Sequence, residues 1–249
     1  MAGNTFSKPF QTKRVVLNRD GSEPGSGITR SHVTAPILDT QPMNAVTRPE
    51  WTWTRGQIIV VSFLDGTPEQ HDFVKQCFRE YDVNLTFDFV DAGKREKSHV
   101  RITVSGGGGF RSLVGTQAIE IGKNDATMWL CLKHWREGPS LRGKILHEGL
   151  HMLGFEHEHS SPNCRIKWIP LEVYQYYKKM HGWNRKKTRR NVLGRLQAHQ
   201  VDASKYDPDS IMHYEVDPTL TQDRFGVPEN LELSEMDKKM LKWMYGSKL

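Results

Sequence analysis

Near the middle of this 249-residue chain stand His147, Glu148, His151, Gly154 and His157, within the run His-Glu-Gly-Leu-His-Met-Leu-Gly-Phe-Glu-His. Four residues turn an α-helix through about 400°, so His147 and His151 project about 40° apart, one turn above the other, and both imidazoles can reach one ion. Glu148 projects about 100° away from that direction, which lets it border the ion without binding it, as a general base must. Gly154 permits a left-handed turn out of the helix, and His157 can then return as a third ligand. Three neutral nitrogens leave one position of a tetrahedral zinc open to water, whose pKa falls to about 7. The pattern predicts one catalytic Zn2+ ion on His147, His151 and His157, with Glu148 taking the water's proton and passing it to a leaving amine.

Chance does not explain the spacing. In a chain of this composition the H-E-x-x-H match arises about 0.03 times, and the longer pattern about once in ten thousand chains. Gly149 is the one local conflict, because an interior helical glycine costs about 1 kcal/mol relative to alanine.

The elements that must position these residues are legible in outline. Residues 1–50 are rich in Gly, Pro, Ser, Thr and Asn and read as a loosely ordered extension, with the folded domain expected from Trp51. Gln57–Leu64 carries a β-branched apolar run that suits a buried strand, and Thr67 with Pro68 starts a helix burying Phe73, Val74, Cys77, Phe78 and Tyr81. Leu85–Val90 and Val100–Val104 alternate as strands, and the four glycines from Gly106 to Gly109 read as a flexible turn. Ala126–Leu132 alternates as another strand. Ser140 is expected to cap the helix carrying the ligands, with Leu141, Ile145, Leu146, Leu150 and Leu153 inward and Gly154 as its stop. Ser234 and Asp237 predict the start of a terminal helix whose buried stripe is Met236, Met240, Trp243 and Met244.

Composition sets bounds. With 37% hydrophobic residues the chain can bury a core, and it contains no apolar run long enough for a membrane span. The first residues show no signal-peptide core, so the expected setting is cytoplasmic or non-classical export. Cys77, Cys131 and Cys164 are too few for a disulfide framework. A net charge of +6 is modest for 35 basic residues, and the run Arg185–Arg190 reads as a solvated face. Two rival readings remain beside the enzyme: a silent zinc-binding protein, which Glu148 argues against, and a basic nucleic-acid-binding protein with structural zinc.

A second motif adds a family resemblance. Together with Ser210-Ile211-Met212-His213-Tyr214, the extended histidine pattern resembles the metzincin metallopeptidases, and Gly154-Phe155-Glu156-His157-Glu158 is most similar to their astacin branch. The resemblance runs over residues 51–249 and includes Gly115-Thr116 and Tyr206–Ser210. It implies an α+β, zincin-like metzincin catalytic domain: a twisted mixed β-sheet and active-site helix in an upper subdomain (about 51–154), and an irregular lower subdomain (about 155–249). It further implies an endopeptidase acting on polypeptides, with Met212 as a structural floor under the triad and Tyr214 as oxyanion partner. The expected protein is a monomer with no nucleic-acid or membrane partner, although the family is usually secreted. His-Ser-Ser-Pro-Asn-Cys after Glu158 departs from the astacin continuation, and the family's usual disulfide cysteines are missing. Substrate is expected to pair with the 126–132 strand, read as the sheet edge. His159 and His213 are expected beside the site or at the surface.

Overall fold

In the computed structural model of the chain, residues 46–106, 109–132, 136–203 and 205–247 are described. The elements run β1 (Val46–Thr47), β2 (Ile58–Phe63), α1 (Pro68–Arg79), β3 (Thr86–Val90), β4 (Val100–Thr103), β5 (Arg111–Ser112), β6 (Met128–Trp129), α2 (Pro139–Met152), α3 (Pro170–His181), α4 (Arg185–Thr188), β7 (Asp202–Ala203) and α5 (Glu235–Tyr245). The extension expected over 1–50 lies outside the described residues as far as residue 45, as do residues 107–108 of the glycine run.

Five strands form one mixed sheet in the order β3-β2-β4-β6-β5. Strands β3, β2, β4 and β6 run parallel, and β5 closes the sheet antiparallel to β6. The expected edge strand therefore lies inside: backbone N–H groups from Thr127 to Leu132 donate to Arg101, Thr103 and Val104 of the β4 side. Arg111–Ser112 is the free edge on this side. Strand order depends on long-range pairing, which local alternation does not encode.

The main core packs β2 and β4 (Ile59, Val61, Ile102) against α1 (Phe73, Val74, Phe78) and α2 (Ile145, Leu146, Leu150). Thr67 caps α1, as expected from the sequence, and Gln70 completes a reciprocal cap that the sequence reading did not include. Helix α2 instead starts at Pro139 with Gly138 before it, leaving Ser140 within the first turn. Proline suits that place because its φ is preset and its missing N–H has no helical partner there. On α5 the buried positions are Asp237, Met240, Leu241 and Tyr245, while Met236 is half-buried and Trp243 is exposed. Tyr245 is drawn inward because its hydroxyl donates to the Leu153 carbonyl at 2.6 Å.

Strand β4 is buried on both faces, so Arg101 is enclosed although the alternating pattern put it outside. Its guanidinium donates to five carbonyls, those of Ser98, His99, Ala118, Ile121 and Asp125, at 2.7–3.4 Å. The 118–125 loop is folded around one cation. Arg101→Met, which keeps much of the volume and removes every donor, should cost about 3 kcal/mol or more, read from the urea midpoint.

Two smaller clusters follow α2. Cys164, Ile166, Val216 and Val227 form one, and Val173, Tyr177, Val192 and Leu220 the other. All three cysteines are unpaired.

Candidate metal centre

Helix α2 delivers His147 and His151 to its buried side, and its glycine has a packing reason. A Cβ on Gly149 would lie 1.9 Å from the Tyr81 hydroxyl, which donates to the Leu146 carbonyl at 2.9 Å. The helical penalty is offset by this close approach of α1's end. The last carbonyls of α2 are also met: Trp53 Nε1 donates to Met152 at 2.8 Å and Tyr245 to Leu153 at 2.6 Å. Gly154 then takes φ 95°, the left-handed region where glycine is unstrained, and the chain leaves the helix toward His157.

Two segments hold that return in place. β1 straps it from one side, with Glu156 N–H donating to Val46 at 2.8 Å and Arg48 Nε to Glu156 Oε1 at 2.7 Å. Val46 and Thr47, which the sequence reading put in the extension, are thus built into the fold and pair with β7. From the other side Glu158 N–H donates to the carbonyl of Met212, itself 1% exposed, at 3.0 Å.

The three imidazoles converge. His157 Nε2 lies 3.3 Å from His147 Nε2 and 3.1 Å from His151 Nε2. Nδ1–H of His147 donates to the Ile211 carbonyl at 2.7 Å, and Nδ1–H of His151 to Phe155 at 2.8 Å. Those bonds leave the Nε2 of His147 and of His151 as lone pairs, both turned toward the Nε2 of His157 as ligands of one ion would be. A tetrahedral zinc with Zn–N near 2.05 Å has an N···N edge of about 3.3 Å, so the two edges to His157 match zinc in spacing and all three donors match it in type. Burial lowers the His147 pKa to about 3 and that of His151 to about 4, which keeps both rings neutral for a metal.

Glu148 lies beside the triad, 6% exposed, with Oε2 lacking any hydrogen-bond partner among the described residues. Burial raises its pKa to about 8, against the opposing Arg111 charge and a Ser112 backbone hydrogen bond. An unpartnered buried carboxylate oxygen next to three converging Nε2 atoms is a place prepared for water. Tyr214 sits with its ring 4.4 Å from that of His157 and 4.4 Å from that of His159. His159 and His213 are both buried, and neither contributes to the converging set. His159 donates from Nε2 to Asn191, and His213 accepts from the Tyr206 hydroxyl at 2.6 Å.

Sequence reading missed what holds this arrangement. Asp237, taken as a helix cap only, accepts from Ser210 Oγ at 2.7 Å and from Ile211 N–H at 3.0 Å, so it sets the carbonyl that orients His147. Asn230 Nδ2 donates to the Pro208 and Ser210 carbonyls. Glu158 is 1% exposed and accepts from Asp207 N–H at 3.0 Å.

A mixed sheet over a helix that presents two histidines, with a third beyond a glycine turn, defines the zincin class of metallopeptidase fold. Family comparison sharpens this: residues 45–246 match the Astacin peptidase family, and the chain belongs to that family. Zinc metalloproteinase nas-14 of Caenorhabditis elegans is 26% identical over 218 residues, 82% of this chain and 39% of that protein. Tolloid-like protein 1 of Homo sapiens is 30% identical over 185 residues, 70% of this chain and 15% of its own length. The chain thus spans well under half the length of these relatives. Among solved structures, myroilysin aligns with a TM-score of 0.75 and 33% identity, covering 82% of this chain and 100% of that one. High choriolytic enzyme 1, a hatching enzyme zinc-protease from Oryzias latipes, shares the fold at a TM-score of 0.51 and 17% identity, over 80% and 96% of the two chains.

Two outcomes follow from this geometry. Ser210→Ala removes the hydroxyl that bridges Asp237 and Met212 N–H, and should weaken zinc retention about tenfold in chelator competition. In chelator-treated protein, folded Glu148 keeps its proton to about pH 8 whereas the unfolded chain loses it near 4.5, so its burial costs stability increasingly as pH rises through that window. Glu148→Gln should therefore raise the urea midpoint near pH 8, with the gain vanishing below 4.5.

Proposed function

We propose that the chain is a zinc-dependent endopeptidase that cuts polypeptides. The observation that carries the reading is the convergence of three Nε2 atoms beside the free Oε2 of a buried glutamate. His147, His151 and His157 are its ligands, Glu148 its base and Tyr214 its oxyanion partner. Every one of these side chains comes from a single chain, which supports action as a monomer.

When bound, zinc supplies a Lewis acid for the scissile carbonyl and an acidified water at neutral pH. Glu148 takes the water's proton at Oε2 and returns it to the departing amine nitrogen, so the carboxylate is regenerated each cycle. Burial and the lack of a competing donor at Oε2 hold its basicity near neutral pH. Tyr214 donates its hydroxyl to the oxygen that gains charge, and its pKa, raised by burial, keeps that proton in place. The free edge of β5 offers backbone groups for an extended substrate, and a depression of about 230 Å³ lined by His147, Glu148, Tyr214 and Asn230 receives a side chain beside the cut bond. This puts substrate pairing on Arg111–Ser112 in place of the 126–132 strand.

Hydrolysis of unfolded casein and of a mixed peptide library tests the reading. Activity should vanish with a chelator and return with zinc. Glu148→Ala should keep stoichiometric zinc while kcat drops roughly a hundredfold or more. Tyr214→Phe should lower kcat about a hundredfold with little change in KM. A zinc-loaded chain that cuts nothing would sink the proposal.

A further inference from the structure

Between Glu172 and Asp202 the chain carries eight lysines and arginines and no acid, leaving 27 basic against 29 acidic residues elsewhere. The net charge of +6 thus belongs to one segment. Two of these cations rest on aromatic faces, Arg185 over Tyr174 at 5.3 Å and Lys187 over Trp183 at 4.5 Å. Four others, Lys186, Arg189, Arg190 and Arg195, line one open depression of about 480 Å³ with Ser160 at its rim. All four are exposed, and none belongs to an ion pair found among the described residues.

The wall of this depression is irregular backbone. After α4, residues Arg189–Leu193 form a π-helical turn, a rare conformation concentrated at functional sites. It is tied to the metal loop at two points. The Asn191 carbonyl accepts from His159 Nε2 at 2.8 Å, and Leu196 N–H donates to the Ser160 carbonyl at 2.9 Å. Ser160 N–H in turn donates to the carbonyl of His157 at 3.1 Å. The basic depression begins one hydrogen bond from the third ligand, within about 11 Å along the chain.

Four like charges gathered without counter-ions repel one another, and an arriving anion relieves that repulsion. We propose that this depression is an accessory site for acidic side chains of the polypeptide substrate, holding Asp or Glu about three residues from the scissile bond. The proposal rests on the endopeptidase reading above. An acidic polypeptide is favoured over nucleic acid because Trp183 and Tyr174 are engaged by cations and no aromatic ring lines the depression, leaving no face on which bases would stack.

Two quenched peptides with the same cleavable segment test it, one carrying four glutamates three residues from the bond and the other four glutamines, each run placed on either side in turn. For the native chain the glutamate-to-glutamine ratio of kcat/KM should be about tenfold at low salt, carried by KM, and should shrink towards one at high salt. Lys186→Gln/Arg189→Gln/Arg190→Gln should bring the ratio near one, whereas Arg185→Gln/Lys187→Gln, off the depression, should keep it. A native ratio near one on both sides overturns the proposal, as does a ratio that survives the triple change. If no peptide is cut, the endopeptidase reading fails and the site is still tested by fluorescence anisotropy of a labelled glutamate-rich peptide on Glu148→Gln protein. Binding lost with the triple change supports the site, and unchanged binding overturns it. A single-stranded DNA of equal charge that binds more tightly and displaces the peptide overturns it in favour of a nucleic-acid site.

Discussion

One buried carboxylate joins the C-terminal helix to the metal. Asp237, 1% exposed, accepts from Ser234 N–H at the start of α5, from Ser210 Oγ and from Ile211 N–H. The first of those bonds fixes the start of α5, and the other two fix the turn whose Ile211 carbonyl takes the Nδ1 proton of His147. Burial pushes the carboxyl's pKa up while the hydrogen bonds hold it down. A carboxylate buried with this many donors is stabilising only while all of them stay in place, so the turn and the helix cap form or fail together.

The same logic runs through the centre itself. Three imidazoles with His157 Nε2 at 3.3 and 3.1 Å from the other two would repel if charged, and burial keeps them neutral. Carbonyls at Ile211 and Phe155 choose the tautomer, so the nitrogens face the metal before it arrives. The protein bears the cost of an unpartnered Glu148 oxygen in the same space, and that local conflict marks where the chemistry is proposed to occur.

What could be read from the sequence was local. The His147/His151 spacing, the Gly154 stop, the Thr67 and Ser234 caps and the α1 core face each depend on residues within about one or two helical turns. What could not be read was long-range. Nothing near Arg101 signals that five carbonyls will close around it, and nothing near Asp237 signals its second set of partners across α5. The position of β5 outside β6 depends on pairing order, and the place of Val46 and Thr47 depends on β7, more than 150 residues away. Tyr245 displaced Trp243 from the core because its hydroxyl found a carbonyl at the end of α2, a polar reason that a hydrophobic stripe does not contain.

Stability is distributed unevenly as a result. The region before Gly154, together with Phe155, Ile211, Met212, Leu233 and the buried face of α5, forms one continuous core, whereas the rest of the region after Gly154 rests on two small clusters, with no disulfide among its described residues. His157 belongs to that second region and is held by the β1 strap, the Met212 carbonyl and the ligands it faces. A metal that binds only when His157 meets the α2 pair adds its binding free energy to the ordering of this loop. Because Ser160 and the π-helical turn hang from the same loop, the basic depression is built on whatever order the metal imposes. The proposed recognition of substrate at a distance and the reacting centre therefore share one scaffold, the segment between Gly154 and Ser161.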